Sequence, residues 1–134
     1  MATATPEGEG LVLLIEDNDS VAGLVAHILA REQRQVVRVK TGADGVRTFM
    51  QRAGEIGLVI LDCKLPDSEG TAICRLLRRG EPELPVLFTS GRGSLAAAAV
   101  VDDGRTDFLA KPFRVSEVSQ KVGALLNSRV QTPV

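Results

Sequence analysis

The stretch GLVILDCKLPDSEG, Gly57 to Gly70, decides the fold. Its apolar run, Leu58 to Leu61, is short and unbroken, which reads as a strand buried on both faces. The run ends on a carboxylate, Asp62, and turns away through Pro66. LVLLIED repeats the design: Leu11 to Ile15 are apolar, and Glu16 and Asp17 follow at once. Packing has no use for acids at the tips of core strands, so their placement points to chemistry at a shared rim.

Working outward, QVVRV reads as a second, weaker strand, PVLFT as a fourth entered through Pro85, and DFLA as a fifth. Between them, apolar residues recur at helical spacing. Val21, Leu24, Val25, Ile28 and Leu29 form one stripe, with Asn18 as its cap. Val46, Phe49, Met50 and Ala53 form a second, and Ala72, Ile73, Leu76 and Leu77 a third. An alanine-rich helix is expected over roughly 94–102, closed near Gly104, and Val115, Val118, Val122, Leu125 and Leu126 make the last. Strict strand–helix alternation predicts an α/β fold: a single doubly wound, five-stranded parallel sheet with helices on both faces, a flavodoxin-like (βα)5 unit. One domain is expected over residues 11–127, with flexible tails at 1–10 and 128–134.

Composition narrows the function. The chain has 134 residues, enough for one core without staples. Sixteen basic against seventeen acidic residues give no bulk attraction to nucleic acid or membranes. The first ten residues lack a signal-peptide pattern, and no apolar run approaches a membrane span. Two cysteines are too few for a disulfide framework, so a reduced, cytoplasmic setting is expected. Four Phe, with no Tyr or Trp, argue against base-stacking platforms.

In a doubly wound fold, Glu16, Asp17, Asp62, Thr89 and Lys111 all reach the rim at the carboxyl ends of the strands. Carboxylates about 4 Å apart repel by about 4 kcal/mol per pair at an effective dielectric near 20, so the cluster calls for a cation or for raised pKa values. Oxygen donors with room for water suit Mg²⁺. One His and no zinc-spaced Cys pair exclude a soft-metal set. A hydroxyl from Thr89 and an ammonium from Lys111 opposite such a site make a cradle for a phosphoryl group. A carboxylate can itself attack phosphorus, and Asp62, on the most apolar and hence most central strand, is the strongest candidate.

Four segments in this order, LLIEDND at 13–19, LVILDCKLPDSEG at 58–70, VLFTSG at 86–91 and FLAKPF at 108–113, resemble the receiver domain of bacterial two-component response regulators, the CheY-like superfamily. The resemblance covers about residues 11–127. It implies that Asp62 is the phosphoacceptor and a metal ligand. Glu16 and Asp17 would be the acidic pair on Mg²⁺, Glu16 through water, and the Lys64 backbone carbonyl a further ligand. Thr89 and Lys111 would bind the phosphoryl group, and Phe108 would be the aromatic switch. Lys111–Pro112 corresponds to a bond that is usually cis in the family, a state that proline makes accessible. The phosphoryl donor would be a histidine kinase or phosphotransfer protein. A downstream protein or effector domain would read the surface of the fourth helix, fifth strand and fifth helix, without direct nucleic-acid or membrane contact. The domain would be a regulatory switch rather than an enzyme, limited to self-phosphorylation and slow self-dephosphorylation.

Each residue also has a plainer reading: Asp62 as a turn residue, Thr89 as an ordinary strand residue, Lys111 as a solvated lysine, Phe108 as core. Their joint placement on strand ends outweighs these. His27, beside the first stripe, reads as a surface or boundary residue, and Cys63 as a small, unreactive buried side chain. Mg²⁺ phosphohydrolases of the haloacid-dehalogenase class and topoisomerase–primase domains need an Asp-x-Asp pair, and here the second position is Lys64. A degenerate receiver, acting as a phosphorylation-independent interaction module, is the remaining alternative. Lys64 beside the pocket and Gly91, which offers no side chain to orient water, point to a long-lived acyl phosphate. Phe108 lacks the tyrosine hydroxyl that would tether an outward ring.

Overall fold

The computed structural model describes residues 10–91 and 104–130. The expected helix over 94–102 and most of both expected tails lie outside the described residues. Five strands are present: β1 Leu11–Ile15, β2 Val36–Val39, β3 Ile56–Asp62, β4 Val86–Ser90 and β5 Thr106–Ala110. They form one parallel sheet in the order β2-β1-β3-β4-β5. The helices are α1 Asp19–Arg31, α2 Gly42–Gln51, α3 Gly70–Gly80 and a C-terminal helix Val115–Val130. That last helix passes the expected boundary at 127. No breaker interrupts Asn127–Val130, and proline comes only at 133.

Strand alternation divides the core in two. Leu11, Leu13, Ile15, Val59, Leu61, Val86 and Phe88 pack against Phe49 of α2 and Ile73, Cys74 and Leu77 of α3. Val12, Leu14, Leu58, Ile60, Leu87 and Leu109 face the opposite way, toward α1 and the C-terminal helix. Every residue of β1, β3 and β4 is therefore buried, whereas edge strand β2 is only half-buried. That division explains why QVVRV carries the weaker pattern.

Several stripe residues differ from expectation. Leu24, Met50 and Leu76 are exposed, although each adjoins a buried residue: Val25, Phe49 or Leu77. One helical step rotates a side chain by about 100°, so the neighbour of a buried residue leaves the core face. Val115, in the first turn of its helix, is also exposed. Ala53 lies beyond the end of α2, and His27 is exposed on α1.

The strand order reverses between β1 and β3, which are paired side by side. A crevice at the carboxyl ends of the strands opens at such a switch point. Glu16 and Asp17 leave β1 there, and Asp62 is the last residue of β3.

Candidate functional site

Asp62 is held by β4 on one side and by Gly70 on another. Its strand pairs with β4 in a register that sets Asp62 opposite Thr89. The Cys63 N–H donates to the Thr89 carbonyl at 2.8 Å, so the ladder continues one residue past the acid. Gly70 then presses on the strand end: a Cβ at that position would stand 2.3 Å from the Asp62 carbonyl oxygen. Its N–H donates to the Cys63 carbonyl at 2.7 Å. The intervening loop closes through a Leu65 N–H to Ser68 carbonyl bond and an isolated bridge between Lys64 and Glu69.

Glu16, Asp17 and Asp62 meet. One carboxylate oxygen from each lies within 4.8 Å of the others. Glu16 is almost fully buried, Asp62 is buried and Asp17 is exposed. The Glu16 Oε2 accepts the Asn18 N–H at 3.1 Å, while Asn18 Oδ1 caps α1 by accepting the Val21 N–H at 3.0 Å. One short asparagine thus ties the acid to the start of the helix.

Lys111, just past β5, supplies the opposing charge. Its Nζ donates to Asp62 Oδ2 at 2.9 Å and stands 3.0 Å from Glu16 Oε1. The latter contact is an ion pair outside hydrogen-bond geometry, so Glu16 Oε1 has no hydrogen-bond donor among the described residues. Burial opposes the Lys111 charge, but the two carboxylates prevail and its pKa is raised. For Glu16, burial is the largest influence and raises the pKa. The Asn18 N–H and Lys111 act against that rise, and Asp62 adds to it. Burial, then the charges of Asp62 and Glu69, push the Cys63 thiol up to about 11 despite Lys111.

Thr89 is buried, and its Oγ1 has no hydrogen-bond partner among the described residues; neither does Ser90 Oγ. The unsatisfied buried hydroxyl of Thr89, on the residue paired with Asp62, fits a site built to receive a further polar group. The acids offer hard oxygen donors, so these residues fit Mg²⁺. On β5, Phe108 is opposite Phe88, and the rings stack with centroids 5.7 Å apart and planes 12° apart. Phe108 is half-buried, so its ring reaches from the core toward the surface. The Lys111–Pro112 peptide is cis. The Lys64 side chain is exposed, while its N–H donates to Asp62 Oδ1 at 3.1 Å.

Two structural partners escaped the sequence reading. Arg38 of β2 grips the β1–α1 turn through the Glu16 carbonyl. Asp67 reaches from the β3–α3 loop to α2, accepting the N–H groups of Gly42 at 2.8 Å and Ala43 at 3.0 Å. An arginine interrupting an apolar strand and an aspartate after proline were the available signals, but neither identifies its partner.

The response regulator receiver domain family model matches residues 12–123, and the chain belongs to that family. The chain is 33% identical over 115 residues to the transcriptional regulatory protein TcrA of Mycobacterium tuberculosis, covering 85% of this chain and 45% of TcrA. It is 32% identical over 120 residues to the uncharacterized transcriptional regulatory protein YcbL of Bacillus subtilis, covering 89% and 52%. It thus spans about half the length of these relatives. Among solved structures, a response regulator receiver domain protein from Clostridium thermocellum superposes with a TM-score of 0.83 at 23% identity, covering 90% of this chain and 97% of that one. That likeness concerns the fold. The protein is a receiver domain of two-component response regulators, a regulatory domain in a family whose function is to accept phosphoryl groups.

Proposed function

We propose that Asp62 is the phosphoacceptor and that a histidine kinase or phosphotransfer protein is the donor. A carboxylate oxygen of Asp62 attacks phosphorus, the bond from phosphorus to the donor breaks, and the donor group leaves with a proton. Mg²⁺ would be held by Asp17, Asp62 and the Lys64 carbonyl, with Glu16 acting through water, and would supply charge neutralisation for the phosphoryl oxygens. Lys111 holds the acceptor in place and pairs with the incoming oxygens. The Thr89 hydroxyl donates a hydrogen bond to a phosphoryl oxygen, and Phe108 follows into the vacated space. The observation that carries this reading is the single ammonium bridging Asp62 and Glu16, beside a buried hydroxyl with no hydrogen-bond partner among the described residues.

The receiver unit runs from residue 11, past the expected boundary at 127, to the end of the C-terminal helix, and acts in the cytoplasm. Among the described residues, no helix is long and apolar enough to cross a membrane. The altered surface would be the expected helix over 94–102, β5 and the C-terminal helix, read by a downstream protein or effector domain without direct nucleic-acid contact. Catalysis is limited to self-phosphorylation and slow self-dephosphorylation. The exposed Lys64 shields the acyl phosphate, so Lys64→Ala shortens its lifetime.

Acetyl phosphate with Mg²⁺ tests the central assignment. The expected result is one added phosphoryl group, mapped to Asp62 by mass spectrometry and absent from Asp62→Asn. No mass gain, together with no Mg²⁺-dependent response to beryllofluoride, would instead indicate a phosphorylation-independent interaction module.

A further inference from the structure

Arg38 has no part in the phosphoryl chemistry proposed above, yet it is built into the frame of the acidic pocket. It lies on edge strand β2, where Val37 and Val39 face α2 and α3 while Val36 faces α1. Strand alternation places Arg38 on the α1 side. Its Nε and Nη2 donate to the Glu16 carbonyl oxygen at 2.9 and 2.8 Å, and Nη2 is also 3.0 Å from Asp19 Oδ1 at the start of α1. The Glu16 N–H donates to the Val39 carbonyl at 3.1 Å. Both backbone polar groups of Glu16 therefore end on consecutive residues of β2. Its side chain is fixed separately by Asn18 and Lys111.

Glu16 sits one residue past the end of β1, held to β2 by its N–H while its carbonyl is left to Arg38. A planar guanidinium donating twice to one carbonyl sets both distance and direction, which an ammonium cannot do. We propose that Arg38 is a positioning residue for the metal site: by clamping the Glu16 carbonyl and Asp19, it fixes how Glu16 and Asp17 leave the sheet toward Asp62. The proposal rests on the reading of these three acids as a Mg²⁺ site. Charge alone predicts the opposite effect, because a cation near the pocket repels Mg²⁺. Asp19, which also lies 3.5 Å from Lys40 Nζ, offsets that repulsion. The direction of the change on removing Arg38 therefore separates positioning from electrostatics.

The test is a Mg²⁺ titration of the full, unphosphorylated chain, followed through the amide signals of Asp17 and Asp62. Wild type, Arg38→Gln and Arg38→Lys are compared after their folded spectra are matched. Saturable binding is expected for wild type, with both variants about tenfold weaker, the scale of lost outer-shell support for metal ligands. Should Arg38→Gln not fold, Arg38→Lys carries the comparison, since it preserves the charge while losing the fork. Variants that bind Mg²⁺ as tightly as wild type, or more tightly, overturn the proposal. A saturable wild type with unaltered variants defeats the role of Arg38 alone; a wild type with no saturable response defeats the metal-site reading and this proposal with it.

Discussion

Thr89 lies opposite Asp62 across β3 and β4, and its buried hydroxyl has no hydrogen-bond partner among the described residues. Such a group carries desolvation cost without compensation in the unmodified protein. Thr89→Val should be as stable as wild type or more so, by up to about 1 kcal/mol. Its response to beryllofluoride with Mg²⁺ should be largely lost. Urea melts and amide spectra check the two halves. A clear loss of stability would mean that the hydroxyl already serves the resting fold.

Lys111 ties Asp62 to Glu16. Lys111→Met should destabilise the metal-free protein by about 1–3 kcal/mol, because buried carboxylates lose a charged partner. Mg²⁺ should restore part of that loss, since a second cation can take the same position between the acids. Urea unfolding with and without Mg²⁺ measures both effects. Equal destabilisation in both conditions would argue against the shared use of these oxygens.

Asp67 accepts two N–H groups at the start of α2, and these bonds, Ala43's first and Gly42's second in effect, hold its carboxyl below the usual carboxylate range. A depressed carboxyl pKa contributes stability that is present above the unfolded value and lost as pH falls through the folded one. Asp67→Ala should therefore unfold at lower urea than wild type at pH 7. The gap should close as the pH drops below about 4. A gap that persists in acid would place the stabilisation outside the carboxylate charge.

Cys63 adjoins Asp62, yet its thiol is pushed up to about 11, first by burial and then by the charges of Asp62 and Glu69. Alkylation of the native protein by iodoacetamide should be slow at pH 7–8 and rise with pH toward that value, because the thiolate is the nucleophile. Rapid labelling of Cys63 under neutral native conditions would contradict this environment.

The elements that sequence made legible are those whose side chains report their own surroundings. The apolar runs Leu11–Ile15 and Leu58–Leu61 mark the strand ends that carry Glu16, Asp17 and Asp62, and Thr89 and Lys111 stand at the ends of later runs. Arg38 and Asp67 were not legible, because what matters for each is a backbone group distant in the chain: the Glu16 carbonyl and the Gly42 and Ala43 N–H groups. Side-chain pattern carries little information about which main-chain atom will need a partner. Leu24, Met50 and Leu76 show the same limit at the helices, where spacing finds the buried stripe but blurs its flanks.

Gly70 has a consequence for descent as well as for geometry. With the Asp62 carbonyl 2.3 Å from where a Cβ would stand, any larger residue forces the strand tip to shift. Neither atom in that contact is a flexible side-chain end that could move aside cheaply. The interval between Asp62 and this glycine is thus a steric requirement that any variant of the gene must also meet, and relaxing it moves the main chain of Asp62 and Cys63.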